Sequence, residues 1–381
     1  MRFSRILRQN VAKSIIIDRT GLKKVGRNDI IYVAMSSGVD SSTVANILGQ
    51  RFGKSRVRGV FMNNWSEDSR CMESEWREAQ AAADHAGIEC HRVDLERDYW
   101  AEVFEPMLES YRKGATPNPD VSCNKHVKFG ALIDHLRARD PNFKWIATGH
   151  YAGVDRGLIC RPLDLKKDQS YYLSTVPPSV VNHALFPLAE LRKPEVRQIA
   201  ADLGVPTAQK PDSQGLCFVE QNAKSFDAFL AEYLVPTKGL IKTVDGLVVG
   251  THNGLWTATI GQRVGLPMPQ SLPETRGKWF VCAKNIEENT LIICPGRDNP
   301  LLYHDTIQTK NFEWHVPAWD SPNLFAQYRS LMIPVACTAT SSGRVIFREP
   351  RRAVAPGQFL VIYENDRIVG SGEITHATKS P

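Results

Sequence analysis

No C-x-x-C pair occurs among the eight cysteines of this 381-residue chain, and the cysteines are scattered. That argues against a zinc ribbon or a disulfide scaffold and suits a reducing compartment; no metal-ligand cluster is expected. No apolar run approaches the ~20 residues needed to span a bilayer, so no membrane partner is expected. A Walker A ending of Gly-Lys-Ser/Thr is missing, and so is the G-x-G-x-x-G dinucleotide fingerprint. There is no internal repeat and no low-complexity segment.

Charge of one sign is also scarce once it is located. The chain carries a formal +6, but residues 1–28 alone carry +7, which leaves the rest at −1. Net charge therefore gives no support for RNA binding by the folded body; only local patches could. The opening Met1-Arg2-Phe3-Ser4-Arg5-Ile6-Leu7-Arg8-Gln9-Asn10-Val11 has no acid and places Phe3, Ile6, Leu7 and Val11 on one helical face. It reads as a mitochondrial presequence, the alternative being a basic tail of a bacterial or cytosolic protein.

What is present centres on Val33-Ala34-Met35-Ser36-Ser37-Gly38-Val39-Asp40-Ser41-Ser42. The apolar, β-branched Ile30–Val33 predicts a buried strand before it, and Thr43–Leu48 has helical spacing after it. A strand-to-helix turn of small residues directs backbone N–H groups and a helix N-terminus at an anion. Asp40 is suited to a magnesium ion bridging phosphates. From Ile30 to about Arg161 strands and helices alternate, which predicts a parallel α/β sheet. Strands are expected at Val57–Met62, Glu89–Leu95 and Trp145–His150, with helices at Glu73–His85, Tyr99–Lys113, Phe129–Arg139 and Glu195–Leu203. Ligands of such sheets sit beyond the strands' carboxyl ends. Met62 is then placed to touch a base or to fill the core.

Ala115–Lys125, with two prolines, reads as a stiff loop holding Asp120 and Cys123. Lys125, His126 and Lys128 follow, and nearby cations raise the thiolate fraction of a cysteine. A buried structural cysteine is the other reading of Cys123. Cys217 lies in a second loop of Pro, Asp, Ser and Gly with no metal partner near it in sequence. After about Phe218 the composition shifts to a short helix, Phe226–Tyr233, and a hairpin turning at Asp245-Gly246. Short β-runs follow from roughly Pro295 and suggest a small barrel.

Six motifs in order resemble the tRNA-specific 2-thiouridylases, in their mitochondrial branch. They are Ser36–Ser41, Asn118-Pro119-Asp120 through Cys123-Asn124, Ala147–Tyr151, Lys167–Tyr171, Asp212–Phe218 and Thr259–Arg263. The first resembles the N-type ATP pyrophosphatase loop, except that Ser37 stands where a glycine is usual, which a negative φ would tolerate. The resemblance implies an ATP-pyrophosphatase (adenine nucleotide alpha hydrolase-like) domain at 29–216, after the presequence-like 1–28. A small mixed central domain at 217–296 and a C-terminal β-barrel at 297–381 would complete the chain. It further implies ATP-dependent 2-thiolation of the wobble uridine of tRNAs for Lys, Glu and Gln in the mitochondrial matrix.

The residue roles are carried over from the same resemblance. Cys217 carries a persulfide, Cys123 is the second thiol, and Asp120 is the acid/base, with Asn118 and Pro119 framing the base. Ala34, Met35, Ser36, Ser37, Gly38, Val39, Asp40, Ser41, Met62 and Gly149 take Mg-ATP. His150, Lys167, Asp168, Gln169, Gln327, Tyr328 and Gln358 are tRNA-contact positions, where Gln327 replaces a frequent arginine; ordinary polar groups are the alternative for the barrel residues. The sulfur would come from a cysteine desulfurase or a relay protein. Two other readings stay open: an amide-forming ligase on the same loop, and a non-catalytic tRNA-binding protein.

Overall fold

The computed structural model describes residues 18–65, 69–212, 226–265 and 277–379. The chain forms two compact units. The first comprises the described parts of residues 1–103, 120–217 and 366–368. Its centre is a five-stranded sheet in the order β3-β2-β1-β4-β7. The strands are β1 (Ile30–Met35), β2 (Val57–Asn63), β3 (Glu89–Asp94), β4 (Phe143–Ala147) and β7 (Ala184–Leu185), all parallel; a small hairpin of β5 (Gly153–Asp155) and β6 (Leu158–Cys160) lies between β4 and β7 in sequence. Central β1 is buried along nearly its whole length, as expected for a strand covered on both faces. Helices Val39–Phe52, Ser69–Ala86 and Lys193–Asp202 contribute to its core, with Val44, Leu48, Ala82, Val196 and Ile199 buried beside Ile31 and Val33. Strand order reverses between β1 and β4, so the crevice at their carboxyl ends is the expected ligand site.

The fold departs from the sequence reading at residues 119–125. Instead of a loop, Pro119–Ser122 opens a helix that runs on as a π-helical stretch, Cys123–Ala131, and ends as Leu132–Arg139. Proline suits the first turn of a helix, where its missing N–H is not needed. Cys123 is therefore held on a helix and not on a loop. The basic segment departs too: Leu22 lies in the sheet's core, and Arg19 donates to the Arg161 carbonyl and to Asp366, at 2.9 and 3.0 Å.

The second unit comprises residues 104–119, the described part of 218–365, and 369–381 as far as 379. Its helix Phe226–Tyr233 is where the sequence placed it. A four-stranded sheet in the order β10-β11-β8-β9 follows, built from β8 (Gly239–Thr243), β9 (Val248–His252), β10 (Trp279–Asn285) and β11 (Thr290–Pro295). Its β8–β9 turn uses Gly246 at φ 87°, the left-handed geometry that makes glycine the natural residue there. Six further strands run β12 (Tyr303–Trp314), β13 (Leu324–Gln327), β14 (Val335–Ala339), β15 (Val345–Arg352), β16 (Phe359–Glu364) and β17 (Arg367–Thr378). They order as β12-β15-β14-β13-β16-β17, and β12 pairs with β17 to close the barrel. Closure removes exposed sheet edges.

Candidate active site

The crevice beyond β1 and β4 is a cavity of about 370 Å³. The turn after β1 builds its floor. Gly38 is the N-cap of helix Val39–Phe52 at φ −83° and ψ 154°. Ser41 Oγ accepts from the Ser36 N–H at 3.0 Å and lies 3.0 Å from Ser36 Oγ, and Ser36 Oγ accepts from the Gly38 N–H at 3.2 Å. The hydroxyls thus shape the loop, and the helix N-terminus adds its positive end, the arrangement that receives phosphates. Ser37 is not among the residues with positive φ, so it needs no glycine, and its hydroxyl donates to Glu75. Gly149, in the turn after β4, is required for space: a Cβ there would stand 2.8 Å from the Ser41 backbone nitrogen.

Ala34, Met35, Ser36, Gly38, Val39 and Asp40 line this cavity. Ser41, Met62 and Gly149 do so as well, whereas Ser37 is buried behind it. Cys123 lines the same cavity, together with Lys128, five residues on. Hydrogen bonding from i to i+5 along the π-helical stretch puts these two on one face. Lys125 and His126 line a separate open groove, where His126 meets Glu102 at 3.5 Å, so of the three expected cations only Lys128 shares the thiol's cavity. Asp120 is half-buried; burial raises its carboxyl above the ordinary value and Lys128 only partly offsets this. Such a carboxyl is suited to holding and passing a proton.

The remaining predicted positions divide. Lys167, Gln169 and His150 line the cavity. His150 is buried and held neutral well below its ordinary value, first by desolvation and then by Lys128. Lys128 Nζ lies 3.3 Å from its Nε2, which makes that nitrogen the acceptor and leaves Nδ1–H to donate to Thr148 Oγ1 at 2.9 Å. Asp168 is buried, paired with Arg161 at 2.7 Å and capping Ser170. In the second unit Gln327 is 2% exposed; it donates to the Arg329 carbonyl at 2.7 Å and accepts from the Tyr363 hydroxyl at 2.9 Å. Tyr328 is buried edge-on against Phe347. Neither offers surface to an RNA in this conformation. Gln358 is half-buried, donating to the Thr116 and Pro117 carbonyls at 2.8 and 3.2 Å and accepting from Asn118 at 3.4 Å. Buried Pro119 precedes Asp120. Cys217, with most of the Asp212–Phe218 motif, lies outside the described residues.

Two features of the cavity were not anticipated. Asn64, buried beside Met62, has a side-chain oxygen with no hydrogen-bond partner among the described residues, an acceptor suited to a donor such as an adenine amino group. Asp40 accepts from Lys193 Nζ at 2.8 and 2.7 Å and from the Tyr151 hydroxyl at 3.0 Å. Lys193 also reaches Asp212 at 2.9 Å, and Asp212 takes Lys167 at 2.6 Å and Arg197 at 2.5 Å. Burial would raise the Asp212 carboxyl, but the bonds from Lys167 and Lys193 outweigh it and hold it well below the usual range. A sequence signal for Lys193 exists. It opens helix Lys193–Asp202, where the macrodipole disfavours a cation, and such a local conflict marks a site with another purpose. Asn64 carries no comparable signal. Unpaired acceptor, helix terminus and acid facing one cavity fit a magnesium-bound nucleoside triphosphate.

Comparison with known proteins adds to this geometry. Residues 29–221 match the family model described as the tRNA methyl transferase HUP domain. Residues 227–295 match the tRNA methyl transferase PRC-barrel domain and residues 304–374 the aminomethyltransferase beta-barrel domain. The chain is 42% identical over 390 residues to mitochondrial tRNA-specific 2-thiouridylase 1 of Saccharomyces cerevisiae, covering 92% of this chain and 93% of that protein. It is 39% identical to tRNA-specific 2-thiouridylase MnmA of Actinobacillus pleuropneumoniae over 92% of both chains. Against that of Escherichia coli it is 40% identical over 92% of this chain and 98% of the other.

Proposed function

The chain belongs to the family of the tRNA-specific 2-thiouridylases, and from that premise we propose that it is an ATP-dependent tRNA-uridine 2-sulfurtransferase of the mitochondrial matrix. The single observation that carries the reading is that the Ser36–Ser41 loop and Cys123 line one cavity. Nucleotide chemistry and thiol chemistry then share a compartment. The family model's name speaks of methyl transfer, but the relatives matched over nine-tenths of the chain are named thiouridylases, and a thiol beside an anion-binding loop supports sulfur transfer.

A uridine oxygen is a poor leaving group, and ATP supplies AMP to it, with pyrophosphate released. Ser36, Gly38 and Ser41 with the helix N-terminus would receive phosphates, Asp40 would hold Mg²⁺, and Met62 and Asn64 would meet the adenine. Asp120 holds or passes the proton at the target base, framed by Asn118 and Pro119. The sulfur arrives as a persulfide on Cys217, loaded by a cysteine desulfurase or relay protein. Its terminal sulfur attacks C2 and displaces AMP. The Cys123 thiolate then attacks the Cys217 sulfur, forming a Cys123–Cys217 disulfide and leaving the terminal sulfur on the base. A dithiol reductant supplies two electrons and two protons to reset the pair. An anticodon wobble base can leave its stack at low cost, and tRNAs for Lys, Glu and Gln are the expected substrates.

Gln358 would hold Asn118 near the base, while His150, Asp168, Gln327 and Tyr328 would act by positioning their neighbours. The barrel is the proposed tRNA-contacting domain. Residues 1–17, which hold Arg2, Arg5, Arg8 and Lys13 and no acid, and the mitochondrial relative support the location. Because Arg19 and Leu22 pack within the first unit, a cleaved presequence would end before Asp18.

The test is a reconstitution with Mg-ATP, a persulfide source and unmodified mitochondrial tRNA-Lys, read by nucleoside mass spectrometry. 2-Thiouridine should form only with ATP, and Cys217→Ser and Cys123→Ser should abolish it. Release of AMP and pyrophosphate without sulfur entering the tRNA would move the ligase reading ahead.

A further inference from the structure

Lys193 belongs to no motif that carried the reading above, yet it is among the most constrained cations of the first unit. Its side chain is buried at the first position of helix Lys193–Asp202, where the dipole opposes it. Its backbone N–H is anchored on Asp164 at 2.9 Å, which fixes the root of the side chain. Its ammonium lies 5.6 Å from the centre of the Tyr151 ring and bridges Asp40 and Asp212. Asp212 does not depend on it, because Lys167 and Arg197 also reach that carboxylate. Asp40 and Asp212 thus share three cations, with the Asp164 carboxylate on the Lys193 backbone beside them, and Lys193, Asp40, Lys167 and Asp212 all line the cavity.

We propose that Lys193 is a phosphate-binding residue, held on Asp40 until Mg²⁺ takes that carboxylate and then left to pair with the pyrophosphate portion of the nucleotide. The proposal rests on the ATP reading of the cavity. The physical basis is charge balance. With Asp40 holding a divalent cation, Lys193 would lose its closest carboxylate, and its buried ammonium would be left beside the Ser36–Ser41 loop. Lysine suits this role because it acts as a compact point charge able to change partners, whereas an arginine fork is tied to one planar partner.

The test is calorimetric binding of Mg-ATP, Mg-pyrophosphate and AMP to the full chain. Lys193→Met keeps the stem and removes the charge; Lys193→Arg keeps the charge. Lys193→Met should weaken Mg-ATP and Mg-pyrophosphate at least tenfold while AMP changes less than twofold, and Lys193→Arg should recover part of the loss. Asp212→Asn, which removes the competing carboxylate, should leave Mg-pyrophosphate binding as tight or tighter. Equal weakening of AMP, no weakening of Mg-pyrophosphate, or parallel losses in Lys193→Met and Asp212→Asn would overturn the proposal in favour of a structural clasp. A wild-type chain that binds no ATP would instead defeat the nucleotide reading itself.

Discussion

The first unit contains two clusters of the same make-up on one sheet. Toward the amino ends of the strands, the Tyr32 hydroxyl donates to Asp140 at 2.8 Å, and Arg58 donates to both at 2.9 and 2.8 Å. Beyond the carboxyl ends, the Tyr151 hydroxyl and Lys193 meet on Asp40 in the same way. In each the cation lies over the tyrosine ring, at 5.7 and 5.6 Å. They differ in access and in valence. No member of the first lines the cavity, and its arginine is divided between two fixed partners. All members of the second line the cavity, and its lysine is shared between two carboxylates. The lesson is that composition does not separate a clasp from a site. A clasp closes its charges on one another, whereas a site leaves one charge able to change partners.

An acid of the site and the acid of the clasp should respond in opposite ways to substitution. Asp120→Asn should lower thiolation at least about 100-fold, the scale of losing a positioned acid/base. It should also raise the melting temperature at neutral pH. Burial raises the Asp120 carboxyl in the fold, so its ionised form costs stability above that raised value. The gain should vanish as pH falls below about 4, the ordinary Asp value, where the carboxyl becomes protonated in both states. A scan of melting temperature against pH, beside the thiolation assay, checks both halves.

Asp140→Ala should do the reverse. Burial would raise this carboxyl, but the Asn142 amide, Tyr32 and Arg58 outweigh it and hold it low, so its contribution is present at neutral pH and lost as pH falls through the lowered value. The loss at pH 7 should be about 2 kcal/mol, below the usual cost of breaking a fully buried pair because Arg58 is partly open to water. Urea unfolding should show it, and Mg-ATP affinity should stay within twofold. A loss of affinity would mean that the amino-end cluster is not a mere clasp.

The finest distinction is between the two tyrosines. Tyr32→Phe and Tyr151→Phe each remove one hydroxyl, worth about 1 kcal/mol of stability. Only Tyr151→Phe should also weaken Mg-ATP, by a few-fold, since Asp40 loses an orienting bond. Denaturation and calorimetry on both variants separate the two clusters.

Local chemistry carried much of this protein. β1 and the Ser36–Ser41 turn were legible because a buried β-branched run followed by small residues and a helical repeat admits few conformations. The Asp245-Gly246 hairpin and the barrel's short runs were legible for similar reasons. Two prolines in Ala115–Lys125 carry the signature of a loop, yet the second, Pro119, occupies the one helical turn that accepts proline, so a helix starts there. Lys125 and His126 are close to Cys123 in sequence but line another groove, because adjacency in sequence says nothing about which face of a helix a side chain takes.

Residues within a few positions of one another set the class of the sheet, the small-residue turn after β1 and each motif that carries the family resemblance. Tertiary structure alone decided that Cys123 shares the cavity of the Ser/Gly loop, that Gly149 must be small against the Ser41 backbone, that the Asn64 oxygen has no partner among the described residues, and that Lys193 joins Asp40 to Asp212. Those partners lie up to 153 positions apart in sequence. Their meeting depends on strand order and on desolvation, which no local pattern encodes.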